Sequence, residues 1–295
     1  MTRLTTPNKY ELANLLCLPR RYRELKPLLL AYMPKTPYRL LASFETALRS
    51  DGLLMDMELN SDVGHAVTLY ASVDPAKWNT YHVAQALRPQ GYFCNLTSLY
   101  HHGLTNQVPA RVYTAVEENR AKDQAQEKRS RLSDDAIFDA FIQPHRVSKH
   151  NYRFRDSEIT ITERVSHGCI GVESVGENNR TCPMGARVTS LERAMIDAVV
   201  HPQYNGGLAA VVEMLRIGAP EADVKRLLGI YDACAFAYPY WQALGFLFER
   251  IGAANIADAF ARRSRPVNKF YLDHNAKTSW AFDSTWCIYY PKGVV

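Results

Sequence analysis

The chain has 295 residues, 47% of them apolar and 22% charged, with a formal net charge of +5. That length suits one large domain or two modest ones with buried cores, and the balance excludes a disordered chain. The mild positive charge permits nucleic-acid binding without demanding it, and no apolar run approaches a membrane span.

Six widely scattered cysteines, Cys17, Cys94, Cys169, Cys182, Cys234 and Cys287, form no CxxC pair and no compact framework, so they are read as reduced thiols. The first residues, "MTRLTTPNKYELANLL", lack the apolar core of a signal peptide. A cytoplasmic protein is expected.

Three helical patterns fill the first fifty residues. "KYELANLLCL" is stopped at Pro19, and "RYRELKPLLLAYM" is expected to become regular at Pro27, a first-turn position. In the third, "PYRLLASFETALRS", Leu40, Leu41, Phe44, Ala47 and Leu48 follow helical spacing, and Asp51-Gly52 ends it. Its opposite face carries Arg39, Ser43, Thr46, Arg49 and Ser50.

Beyond Gly52 the period changes to two. "LMDMEL", the turn "NSDVG" and "HAVTLYA" read as strand, turn and strand. Three helices and then a hairpin is the order of a winged helix-turn-helix, whose third helix enters the major groove. Arg39, Ser43, Thr46 and Arg49 are then the candidates for reading bases, and Arg20, Arg21, Arg23 and Lys26 for holding phosphates. Residues 1–50 carry nine Lys and Arg against three carboxylates, but five more carboxylates by residue 75 leave a net charge of +1. Asp56, Glu58 and Asp62 on the hairpin repel phosphate, and an exposed polar helix face is more often merely solvated.

From residue 80 onward a second module begins. "GYFCNLTSLYHHGLTNQVPARVYTAV" reads as a short strand, a short helix and a strand, with Gly103 in a left-handed cap that brings Leu104 onto Leu99. "EENRAKDQAQEKRSRLSDD" is polar throughout, a solvated loop or exposed helix, after which Ser133 caps "DDAIFDAFI". Arg146, Lys149, Arg153 and Arg155 then stand without an acid until Asp156. They form either a second basic patch for an anionic partner or the charged edge of a strand. "EITITERV" alternates as a strand.

In "VTSLERAMIDAVVHPQYNGG", Thr189 and Glu192 have the spacing of a capping box. Leu191, Ala194, Met195, Ala198 and Val199 make one apolar stripe, and Arg193 and Asp197 share a second one with Ile196 and Val200. A helix apolar on both sides is expected between layers, its Arg and Asp paired with each other or with backbone. Pro202 ends it, and Gly206-Gly207 turn the chain into "LAAVVEMLRIG". "EADVKRLLGIY" and "YWQALGFLFERIG" are further helices, and "NKFYLDH" and "TWCIYY" are closing strands.

Nothing in this pattern is catalytic. Adjacent His101 and His102 diverge by about 100° on a helix and cannot chelate one metal. No P-loop, GxGxxG or GxSxG occurs. No enzyme activity, metal or cofactor is expected.

"YFCNLTSLYHHGLTNQVP", "VTSLERAMIDAVVHPQYNGG" and "YWQALGFLFERIG", in that order over roughly residues 80 to 290, resemble the AbiEi family of antitoxins from bacterial type IV toxin–antitoxin systems. The middle motif is the most specific, with Thr189, Glu192, Arg193, Asp197, Gly206 and Gly207 as its structural residues. The resemblance implies a mixed α/β (α+β) chain: a winged-helix, DNA-binding domain over 1–78 and a larger α/β antitoxin domain over 79–295. It further implies repression of the chain's own promoter through inverted repeats in double-stranded DNA. The partner would be an AbiEii-like nucleotidyltransferase toxin, counteracted without a stable complex, in phage defence. The competing readings are a DNA-binding regulator of a non-toxin operon and a phage-defence nuclease.

Overall fold

Thr5 opens the first helix, its hydroxyl accepting the N–H of Asn8 at 3.3 Å, with Pro7 in the first turn. This computed structural model describes residues 3–118, 132–165, 168–176, 181–263, 265–266, 268–277 and 279–294. Two units emerge. Unit 1 gathers Met1–Gly91, Ala110–Thr114 and Lys149–Ile161, and unit 2 gathers Tyr92–Pro109, Ala115–Ser148 and Thr162–Val295.

Unit 1 contains α1 (Thr6–Leu15), β1 (Arg20–Arg21), α2 (Tyr22–Tyr32), α3 (Leu41–Ser50), β2 (Met55–Asn60), β3 (Ala66–Ala71) and α4 (Thr80–Leu87). The cap at Thr5 starts α1 three residues before the periodic apolar pattern does. α2 departs further from expectation, since it begins at Tyr22 and carries Pro27 in its interior. Leu25, Leu29 and Tyr32, all buried, recur at helical spacing, so packing holds the turn before Pro27 despite the lost N–H.

The unit's core is Leu4, Leu12, Leu16, Leu25, Leu29, Tyr32, Phe44, Leu48 and Leu54. These come from the facing stripes of the three helices and the turn after α3. The sheet has the order β1-β3-β2, with β3 antiparallel to both neighbours. The two-residue strand β1 went unseen in the sequence because its register, Arg20 with Tyr70 and Arg21 with Leu69, depends on a partner fifty residues away. Residues 149–161 return to the unit as β6 (Asn151–Phe154) and the first half of β7 (Ser157–Val165), an antiparallel pair.

Unit 2 contains β4 (Tyr92–Phe93), α5 (Asn95–His101), the second half of β5 (Arg111–Glu118), α6 (Asp134–Phe141) and the end of β7. β8 (Val172–Ser174) and β9 (Arg187–Thr189) follow, then α7 (Leu191–Val200), α8 (Leu208–Gly218), α9 (Val224–Cys234), α10 (Tyr240–Arg250) and α11 (Ala254–Ala261). Its strands run in the order β7-β5-β4-β9-β8, with β4 parallel to β9. A three-stranded sheet of β10 (Phe270–Tyr271), β12 (Ile288–Tyr290) and β11 (Ala281–Asp283), in that order, closes the unit.

Every residue of α7 from Glu192 to Val200 is buried, as a helix apolar on both sides requires. Its cap is Ser190, whose hydroxyl accepts the N–H of Arg193 at 3.3 Å. Thr189, expected to cap it, is the last residue of β9 and is held in strand geometry one position too early. Glu192 completes the helix start otherwise than in a capping box. Its carboxylate accepts from the Ser190 hydroxyl at 3.1 Å and from the Asp223 N–H at 3.3 Å. Gly206 and Gly207 both have left-handed φ, 83° and 87°, which turns the chain into α8. Gly103 (φ 71°) does the same after α5, bonding the Leu104 N–H to the Leu99 carbonyl at 2.9 Å. Ser133 caps α6.

The architecture is mixed α and β. The polar tract across 119–131 lies outside the described residues. Among those described, no helix is long and apolar enough to cross a membrane.

Candidate nucleic-acid interface

The face of α3 opposite Phe44 and Leu48 is built by the helix period alone. Once those two residues enter the core, Ser43, Thr46, Arg49 and Ser50 are left exposed on the other side, whereas Arg39, expected on the same helix, is exposed in the segment before its first residue, Leu41. No carboxylate stands among them. The helix's single acid, Glu45, accepts the Tyr22 hydroxyl at 2.8 Å. Thr46 donates back to the Ala42 carbonyl at 2.8 Å, and Arg39 reaches only the carbonyls of Thr36 and Tyr38, both at 3.5 Å. Arg39 and Ser43 can therefore turn to a ligand at little cost.

Arg49 is more constrained. Its guanidinium pairs with Asp56 of β2 and lies 5.8 Å above the Tyr70 ring. Asp56 and Tyr70 sit directly across from each other in the sheet, which explains why one arginine meets both. The acid that was expected to repel phosphate is thus neutralised by one of the cations meant to attract it.

The hairpin tip is anchored as well. The side-chain amide of Asn151 donates to Asp62 at 3.0 Å, the Asp62 N–H bonds the Asn151 carbonyl at 3.0 Å, and Ser61 bridges to Tyr152. Glu58 and Asp62 are both exposed without an ion pair among the described residues, Asp62 holding only the uncharged Asn151 groups. No sequence signal pointed to Asn151, since its pairing with the hairpin spans ninety residues.

The four phosphate candidates separate into two pairs. Arg20 donates to the carbonyls of Leu15 and Leu18, both at 3.1 Å, and Arg21 donates to the Leu87 carbonyl while its Nε is buried without a partner. Burial and the neighbouring Arg88 and Arg23 lower the Arg21 pKa. Arg23 and Lys26 are exposed on α2, Arg23 2.5 Å from Glu24. Of the second basic tract, Lys149, Arg153 and Arg155 belong to unit 1 and Arg146 to unit 2. Arg153 lies 3.9 Å from Glu158, and Arg155 donates to the Pro75 carbonyl at 2.6 Å with its guanidinium 4.7 Å over Phe154. Arg146 is exposed.

In unit 2 the motif on α7 forms a buried charge cluster. Asp197 accepts from Arg193 at 3.0 Å and from Arg164 of β7 at 2.5 Å. Arg164 also donates to Asn95 at 2.9 Å, and Arg193 to the Ile170 carbonyl at 2.7 Å. The side chains of Arg193 and Asp197 are 1% and 2% exposed. Burial raises the Asp197 carboxyl, but Arg164 and Arg193 outweigh it and hold the group at about 2. His201 is driven down to about 3, first by burial and then by Arg164.

These shifts work against nucleophilic chemistry. Burial pushes the Cys94 thiol up to about 11 and raises Tyr92 too, so neither ionises near neutral pH. Among the described residues, no group of three His, Cys, Asp or Glu side chains is placed to hold a metal.

No family model matches the chain, and no curated protein does either. The crystal structure of the RV2827C protein from Mycobacterium tuberculosis is similar in fold, with a TM-score of 0.52 and 13% identity over 98% of this chain and 93% of that one.

Proposed function

We propose that unit 1 is a winged helix-turn-helix that lays α3 in the major groove of double-stranded DNA at the chain's own promoter. The observation that carries this reading is the exposed polar face of α3 with Ser43, Thr46 and Arg49, preceded by exposed Arg39 two residues before the helix. The order helix, strand, helix, helix and hairpin, with the sheet β1-β3-β2, supports it.

Arg39 and Arg49 would read base edges, and Lys26 and Arg23 would hold phosphates. The wider role proposed is that of an AbiEi-like antitoxin. It would repress its own operon through inverted repeats and counteract a nucleotidyltransferase toxin in the cytoplasm, without catalysis of its own. That part rests on the resemblance of residues 80 to 290, above all on the α7 motif.

The test is a gel shift on the gene's own upstream region with excess unrelated DNA as competitor, at three salt concentrations. Wild type is expected to give a specific shift that Arg39→Ala/Arg49→Ala loses. Each lost base contact should weaken binding by about 1–3 kcal/mol. A shift seen only at low salt and equal on any DNA would sink the reading. Co-expression with an AbiEii-like nucleotidyltransferase toxin addresses the antitoxin role. Unrelieved growth arrest would leave a DNA-binding regulator of a non-toxin operon.

A further inference from the structure

The closing sheet of unit 2 carries a row of aromatic rings on one face. Tyr271 on β10, Tyr289 on β12 and Phe282 on β11 are direct cross-strand partners, since Tyr271 is in register with Tyr289 and Phe282 with Tyr289. The Tyr271 and Tyr289 rings stack 5.1 Å apart at 11°, and Phe282 lies 4.7 Å from Tyr289, tilted by 46°. Phe138 of α6 closes the far end, 5.6 Å from Tyr271. The alternate residues Phe270 and Ile288 enter the core, so the strand period alone brings the three rings to the same side.

The row is closed at one end and open at the other. Tyr271 is 8% exposed and Phe282, on the edge strand, is 43% exposed. Tyr289 between them is half-buried. An exposed aromatic ring at the edge of such a row offers a surface to another planar ring.

Charge identifies the kind of ring. Residues 262–295 hold six Lys and Arg (Arg262, Arg263, Arg265, Lys269, Lys277, Lys292) against two carboxylates, Asp273 and Asp283. Both acids are in use. Asp283 accepts from Arg250 at 3.0 Å and from the N–H groups of Thr285 and Trp286, and Asp273 pairs with His145 at 2.5 Å. Lys269, Lys277 and Lys292 are exposed and form no ion pair among the described residues. They stand just before β10, between β10 and β11, and just after β12, so they bracket the strands that carry the rings. The nearest acids across the row lie on α6. Of these, Asp134 accepts the Lys269 N–H and the Asn268 side chain, which leaves Asp135 and Asp139 exposed.

We propose that this face binds single-stranded nucleic acid, one base stacking on Phe282 and the phosphates running past Lys269, Lys277 and Lys292. Rings that accept any base, combined with unpaired cations, are what sequence-tolerant single-strand binding needs. A proline-rich peptide also docks on aromatic rows, but it brings no anion to meet these lysines.

The test uses the full chain and fluorescein-labelled twelve-residue poly(dT) and poly(rU), read by anisotropy at low and moderate salt. The carrier of the experiment is the Arg39→Ala/Arg49→Ala protein, so that binding through unit 1 does not contribute and failure of the double-strand reading leaves the result untouched. Saturable binding is expected, weakened about 5- to 150-fold by Phe282→Ala and retained by Phe282→Trp. Lys269→Ala/Lys292→Ala should flatten the salt dependence by about 1.4 units of slope. Phe282 lies at an exposed edge, so circular dichroism should show Phe282→Ala folded as wild type. The proposal is overturned if neither oligomer binds, if Phe282→Ala binds as wild type does, or if a labelled polyproline peptide binds at the same residue while the oligomers do not.

Discussion

At the residue scale, the sequence made Arg193 and Asp197 legible as buried and paired with each other or with backbone, because two charges four apart on an apolar stripe share one face, and Arg193 does both. Arg164 was not legible, since it lies thirty-three residues upstream on a strand that reads as plain alternation. Its presence changes the energetics, for the cluster then holds two guanidiniums around one carboxylate. Asp197→Ala would leave both cations buried and should cost about 3–5 kcal/mol, measured by urea unfolding. A loss below about 1 kcal/mol would mean that water reaches the guanidiniums. His201 supplies a second prediction. Its folded pKa of about 3 lies below the ordinary value of 6.5, so the unfolded chain binds the proton first. The stability due to its neutral burial is complete above pH 6.5 and is lost as pH falls toward 3, by up to about 1.4 kcal/mol per pH unit. His201→Gln should flatten unfolding curves recorded between pH 6.5 and 4.5. An unchanged slope would place the pH dependence elsewhere, with Asp197 contributing only below about pH 4.

At the element scale, most helices were readable, but α4 and α11 went unread and helix ends were not readable. Leu25, Leu29 and Tyr32 carry α2 through Pro27 because a stripe that enters a core outweighs one missing bond, and only the core reveals that. The start of α7 depends on whether the chain at Thr189 is strand or helix, which the β4 pairing of Val188's strand decides. α10 hides a closer constraint. A Cβ at Gly245 would meet three atoms of the Trp286 indole at 2.0 to 2.7 Å, and that ring is buried with its N–H donating to Glu249 at 2.5 Å. Gly245→Ala gains helix propensity of about 1 kcal/mol but must move a tethered indole, an overpacking cost of about 1–3 kcal/mol. A net loss of stability with a shifted tryptophan emission is expected. A protein more stable than wild type with unchanged emission would show that the α10–Trp286 contact yields freely.

At the scale of the whole molecule, charge was readable in amount but not in availability. The net +5 and the basic first fifty residues suggested anionic partners. Which cations can serve such a partner depends on pairings that cross long stretches of chain, such as Arg49 with Asp56 or Arg21 with the Leu87 carbonyl. Counterion release makes the distinction measurable. Each phosphate contact contributes about one unit to the slope of log affinity against log salt. Lys26 is exposed and without an ion pair among the described residues, so Lys26→Ala should lower that slope by about one unit on promoter DNA without altering urea unfolding. Arg21→Ala should do the reverse, leaving the slope unchanged while destabilising unit 1, because its guanidinium already serves a backbone carbonyl. If instead Arg21→Ala lowers the slope and spares stability, its side chain leaves Leu87 to meet DNA. The half-buried arginine of β1, rather than the exposed lysine of α2, would then be the phosphate anchor.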